Sequence, residues 1–234
     1  MQINQAHTAI LVFTRSAVLE AQVKPLAYRR KHAHKVADLL NQRIISIAQQ
    51  SGIAVFIGDE SIQEGNSFAS RFHSAFEHVF DLGYEQVIAV GNDCLDLKVE
   101  HLQHAQDLLE QNETVIGPAE DGGLYLFGLH RSAFEQLDFK ALPWQSAALF
   151  STLKDHLIHY QLDLALLEGA MDIDTPEHLI GLLRKQTNWN RFFRQIANLL
   201  FETASTLFQN LAHQIEDYRS AFFSRGPPSL WHAS

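Results

Sequence analysis

The stretch Val115–Leu129, VIGPAEDGGLYLFGL, decides how this chain must fold. It reads as an apolar strand that breaks at Pro118, crosses an acidic Gly-Gly turn and resumes as a second apolar strand. Gly122 and Gly123 let the backbone take positive φ or pass close to a ligand, since neither carries a Cβ. Asp121 stands at that turn, where a carboxylate can face a cleft. Two more acidic loops stand in the same relation to strands. GNDCLDL (Gly91–Leu97) follows the apolar run VIAV, and MDIDTPEHL (Met171–Leu179) follows LDLALL. Three acidic loops at strand ends point to one oxygen-rich site at the edge of an α/β sheet.

Working outward, the run Thr8–Phe13 suits a buried first strand because it is continuously apolar and rich in β-branched residues. Thr14–Pro25 reads as a loop. Tyr28–Gln50 carries Val36, Leu39, Leu40, Ile44, Ile45 and Ile47 at helical spacing, and Gly52 suits its C-cap. Further strands are expected at Ile53–Ile57, Gln86–Val90, Thr114–Gly117, Leu124–Leu129 and Leu162–Leu167. Helices are expected at Ser67–Phe80, Lys98–Gln111, Arg131–Gln136, Ala147–Ile158 and Glu177–Lys185. Pro176 opens the last of these at the favoured first position, with Thr175 as N-cap, and Asp96 is the expected cap of the helix after GNDCLDL. Strand and helix alternate throughout. The fold class is therefore α/β, a Rossmann-like three-layer sandwich around a mostly parallel, mixed sheet.

Composition bounds the function. A formal charge of −9 disfavours a general nucleic-acid-binding role, though a bound dication can invert the field locally and admit a nucleotide. Cys94 is the single cysteine, so no internal disulfide can form, which fits a cytoplasmic setting. The N-terminal apolar run is too short for a signal-peptide core or a membrane span. Basic RRKHAHK (Arg29–Lys35) has no interleaved aromatic platform and reads as a solvated helix start. His101 and His104 read as a surface pair, and Cys94 as a small buried residue. No G-x-S-x-G or P-loop pattern supports a hydrolase or kinase.

The character changes after Lys185. Residues 1–186 are the expected domain, 187–222 a C-terminal helical extension and 223–234 a flexible tail. Phe192, Phe193, Ile196, Leu199, Leu200, Leu207, Leu211 and Ile215 form a helical stripe that packs on the domain or on a second copy as a homodimer.

Five segments in unbroken order resemble one family. GNDCLDL is similar to G-S-D-C-P-D-L and GPAEDGGLYLFGL to G-P-A-x-D-G-G-Y-Y-L-x-G-L. DIDTPEHL resembles D-V-D-T-P-E-D-L, QEGNSFASRF (Gln63–Phe72) resembles Q-x-G-x-D-L-G-E-R-M, and PWQS (Pro143–Ser146) a W-S-T or W-G-T element. FTRSAVLEAQVKPL (Phe13–Leu26) resembles F-T-R-x-P-V-L-G-x-V-K-T-R-L loosely. These are the motifs of the glycosyltransferase-like DUF2064 proteins, and the resemblance spans about Thr8 to Leu183.

The resemblance implies a nucleotide-diphospho-sugar transferase fold of the GT-A type, with a nucleotide sugar and a small-molecule acceptor at the strand C-termini. It implies a divalent metal, Mg²⁺ or Mn²⁺, held by Asp93 and Asp174, with Asp172 a less certain partner. Such a cation offsets the charge growing on a leaving nucleoside diphosphate. By the same resemblance Arg15, Lys24 and Arg71 meet the phosphates. Asp121, Gly122 and Gly123 face the sugar or acceptor, with Asp121 as candidate base, and Trp144 stacks on a sugar ring. Glu20 stands where the family has a glycine, Ala17 and Leu19 replace prolines, one arginine of K-T-R-L is gone, Ala69 replaces the glycine of L-G-E-R, and Leu95 replaces the proline of D-C-P-D. The metal half of the expected site is intact and the phosphate half is eroded. Three readings stand: glycosyl transfer, nucleotidyl transfer on the same scaffold, or a non-catalytic relative serving as a binding or assembly subunit.

Overall fold

The computed structural model describes residues 7–185, 187 and 189–201. Six strands form one sheet: β1 (Thr8–Phe13), β2 (Ala54–Gly58), β3 (Gln86–Val90), β4 (Thr114–Pro118), β5 (Leu124–His130) and β6 (Leu164–Leu166). Their order is β2-β1-β3-β5-β4-β6. Every pairing is parallel except those of β5, which runs antiparallel to β3 and β4. The mostly parallel, mixed sheet is therefore as expected. The Gly-Gly turn makes β4 and β5 a hairpin, and reversing β5 brings that turn to the edge where the other strands end.

Period-two alternation separates two cores. Ala9 and Leu11 of β1 and Val87 and Ala89 of β3 face α3 (Phe68–Asp81), α5 (Arg131–Gln136) and α6 (Leu149–His159). Ile10, Val12, Ile88 and Val90 face α2 (Arg30–Gln50) and α4 (Val99–Leu109). The first core is aromatic. Phe72 and Phe76 lie 5.0 Å apart, nearly perpendicular, and Phe76 meets Phe127 at 5.9 Å in the same edge-on manner. Edge-to-face packing suits the ring quadrupoles. A third cluster joins the first half of α2 to α7 (Pro176–Lys185) and the helical residues 191–201. Phe193, Ile196 and Leu200 are buried there against this same chain. Leu207, Leu211, Ile215 and the expected tail lie outside the described residues.

Two expectations need correction. Thr14–Pro25 is not a loop throughout: Ala17–Val23 is a helix, α1. Ala17 and Glu20, which stand at the proline and glycine of the motif the segment resembles, are good helix formers beside Leu19, and the helix ends before Pro25. Nor does Asp96 cap α4. The helix starts later, with Lys98 at the N-cap, and Asp96 is exposed. Thr175 does cap α7, accepting a hydrogen bond from the His178 amide at 3.1 Å. No helix among the described residues is long and apolar enough to cross a membrane.

A polar clamp holds the strand ends together. Arg43 on α2 donates to the carbonyls of Cys94 (3.3 Å), Leu95 (2.6 Å) and Leu97 (2.9 Å). Asn41, two residues earlier, accepts from Thr14 Oγ1 and Asn92 Nδ2 and donates to the Arg15 carbonyl. One stretch of α2 thus fixes the residues after β1 and those after β3. Arg43→Met keeps the apolar stem but strands three carbonyls. We expect a loss of about 3 kcal/mol in urea unfolding, because each buried acceptor left unpaired costs about 1–3 kcal/mol.

Candidate active site

The acidic loops meet because the backbone after β6 turns back along the sheet edge. The Ala170 amide donates to the Pro118 carbonyl, the Glu120 amide to the Ala170 carbonyl, and the Ile173 amide to the Asp93 carbonyl, all at 3.0–3.1 Å. Short bridges pair Ala119 with Ala170 and Cys94 with Asp172. This ribbon sets Asp172 and Asp174 beside Asp93 from β3 and Asp121 from the β4–β5 turn. All four line one cavity of about 460 Å³ with Arg15, Glu20 and Lys24; its other wall includes Phe68, Phe72, Phe127 and Trp144. The carboxyl edge of an open α/β sheet is where such folds bind ligands.

Lys24, just past α1, sits among the acids. Its Nζ lies 2.9 Å from Asp93 Oδ2 and 2.8 Å from Asp174 Oδ1. Burial pulls the ammonium's pKa down, but the two carboxylates more than offset it and the net shift is upward. Asp172 has no such partner. Its Oδ1 is buried without a hydrogen-bond partner. Burial first, then the charges of Asp93 and Asp121, push its pKa from 3.8 to about 8, with Lys24 opposing. Burial and Asp172 also raise the Cys94 thiol to about 12, so it is no nucleophile.

The other expected residues divide. Arg15 lines the cavity, but its guanidinium pairs with Glu20 Oε2 at 3.1 Å. Glu20 is buried, so the family's glycine position now holds the charge that occupies this arginine. Arg71 on α3 is not among the cavity-lining residues. Asp121 Oδ1 accepts from the Gly123 amide at 2.8 Å, which shapes the turn, and both residues line the cavity. Gly122 does not. Its φ is +90°, and a Cβ there would lie 2.2 Å from the Ala147 carbonyl, so its requirement is close packing against the start of α6. Trp144 lines the cavity from within the aromatic core, stacked on Phe139 at 5.6 Å with its indole N–H donated to the Phe139 carbonyl. Arg43 and Asn41 were not legible as site residues. A lone arginine and asparagine at helical spacing carry no signal until their tertiary partners are known.

Among the described residues no group of three His, Cys, Asp or Glu side chains is arranged to hold a metal ion. The donor chemistry nevertheless fits a hard dication. Asp93 and Asp174 already share one cation, and Asp172 adds an unpartnered oxygen. Mg²⁺ and Mn²⁺ accept a few carboxylates and retain waters.

Residues 20–146, more than half of the chain, match the family model described as "Uncharacterized protein conserved in bacteria (DUF2064)". The segment with Asp172 and Asp174 lies beyond that span. A candidate nucleotide-diphospho-sugar transferase from Desulfovibrio desulfuricans G20 is similar in structure, with a TM-score of 0.71 and 22% identity over 88% of this chain and 98% of that one. This establishes a shared fold. More distant structures include Rv0371C in complex with manganese, from Mycobacterium tuberculosis H37Rv (TM-score 0.42, 13% identity, 77% and 100% covered). Another is the inositol-1-phosphate CTP transferase from T. maritima (TM-score 0.41, 10% identity, 82% and 96% covered). No curated protein matches the chain.

Two measurements check the geometry. Below about pH 4 Asp172 is protonated folded and unfolded alike. From there to about pH 8 only the folded chain keeps the proton, so stability falls as pH rises; above about 8 the loss is complete. Asp172→Asn should flatten thermal melts between pH 5 and 9 and stabilise the chain at pH 9 by about 1–2 kcal/mol, after discounting for the open cavity. Gly122→Ala should cost about 2–3 kcal/mol in urea unfolding, because it adds both a strained φ and a backbone clash.

Proposed function

The chain belongs to the DUF2064 family, and from that premise we propose that it is a metal-dependent transferase acting on a nucleotide-diphospho-sugar. The observation that carries this reading is the convergence of Asp93, Asp121, Asp172 and Asp174, from three separate strand ends, on one cavity. Asp93 and Asp174 would hold the dication, with Asp172 beside them, and Lys24 and Arg15 would meet the diphosphate. Arg71 would act only from outside the lining. The metal supplies charge neutralisation at the diphosphate.

The residues then divide the work. An acceptor hydroxyl oxygen bonds to the anomeric carbon while the bond from that carbon to the diphosphate breaks, and the nucleoside diphosphate leaves with the electron pair. The hydroxyl proton passes to a carboxylate, for which Asp121 at the cavity wall is the candidate. Gly123 leaves room beside it for sugar or acceptor, Gly122 holds the turn against α6, and Trp144 offers an aromatic wall. Nucleotidyl transfer from a triphosphate would use the same acids. The setting is cytoplasmic, consistent with the single free thiol of Cys94. A dimer through the C-terminal helices would have to use faces other than Phe193, Ile196 and Leu200, which are already covered.

The pairing of Arg15 with Glu20 favours a second reading, a non-catalytic relative that binds without turning over. Calorimetry separates the two. Nucleoside diphosphates, UDP- and GDP-sugars and nucleoside triphosphates are titrated with and without Mn²⁺. The transferase reading expects micromolar, Mn²⁺-dependent binding of one nucleotide class, reduced at least about tenfold in Asp93→Ala (~1.4 kcal/mol). Silence across the panel would overturn it.

A further inference from the structure

Lys24 holds the position a dication would need. Its Nζ is within 2.9 Å of both Asp93 and Asp174, and its side chain is only 16% exposed. A dication brought to the same two oxygens meets the ammonium's charge and the space it fills. Lys24 is the C-cap of α1, just before Pro25. The backbones that carry the two acids are tied down: the Ile173 amide donates to the Asp93 carbonyl, Arg43 holds the Cys94 carbonyl just beyond it, and Thr175 beside Asp174 caps α7. The ammonium, on a four-carbon stem, has the longer tether and is the partner that can swing away from the pair.

We propose that Lys24 is a displaceable counter-ion. In the ligand-free protein it neutralises the Asp93–Asp174 pair. A divalent cation arriving at that pair expels the ammonium, and the released ammonium becomes available to a phosphate group on the same cavity wall. Metal affinity is thereby set by competition with a tethered cation. The metal alone binds weakly. Metal and diphosphate together bind cooperatively, because the diphosphate gives the expelled ammonium a new partner. Arg15 is not part of this exchange, since its carboxylate partner is Glu20. The proposal rests on the metal-dependent reading above.

The test is Mn²⁺ binding followed by water-proton relaxation, without nucleotide, on the full chain. Lys24→Met should bind Mn²⁺ about tenfold more tightly than the parent, while Arg15→Met, which removes an equal charge from the same cavity, should change affinity less than about threefold. A second readout uses the unaltered protein, so it does not depend on a variant folding. Acetylation of Lys24 by an N-hydroxysuccinimide ester, followed by mass spectrometry, should run several-fold faster at saturating Mn²⁺ than without it. Equal Mn²⁺ affinities for parent and Lys24→Met, equal gains in both variants, or an unchanged Lys24 acetylation rate would overturn the exchange and leave the metal reading standing. Absence of Mn²⁺ binding in the parent and in Lys24→Met would overturn both.

Discussion

Crowding of like charge at one sheet edge is the constraint around which this molecule is arranged. Four aspartates reach one cavity, and carboxylates at such spacing repel unless a cation or a proton intervenes. The chain uses both remedies. Lys24 bridges Asp93 and Asp174, and Asp172 holds a proton well above the ordinary carboxylate range. A fold optimised for stability alone would not gather these groups. Their being held together by backbone bridges, an arginine clamp and a capped helix is a sign of a site at which positive charge is exchanged.

The rest of the architecture serves that edge. Antiparallel β5 carries the Asp121 turn to where β1, β3 and β6 end. The aromatic core beneath gives the cavity a rigid floor, with Phe72 and Phe127 packed at 6.4 Å and Trp144 against both. On the far side of the sheet α2 reaches over with half-buried Asn41 and Arg43 to tie two loops to one stretch of helix.

The cavity wall carrying Arg15 and Glu20 is arranged differently. Helix α1 stands where the sequence resembles a glycine- and proline-bearing loop, and buried Glu20 pairs with Arg15. The helix points Glu20 inward to the arginine, so the guanidinium on this side of the cavity is already paired.

By itself the sequence determined the strands and the sheet class, though not helix α1. All six strands fall where apolar alternation and turn residues place them, and the acids Asp93, Asp121 and Asp174 stand out because each follows a strand and precedes a turn. Local periodicity and turn chemistry are properties of neighbouring residues, so one dimension suffices to read them. Three things waited for the tertiary structure: the Lys24 bridge between two carboxylates, the Arg43 and Asn41 clamp, and the packing of Gly122 on Ala147. Each joins residues well apart in the chain through contacts that exist only once the sheet has closed. The charge a carboxylate bears, and the partner that satisfies it, are set by what the folded chain brings within a few ångströms.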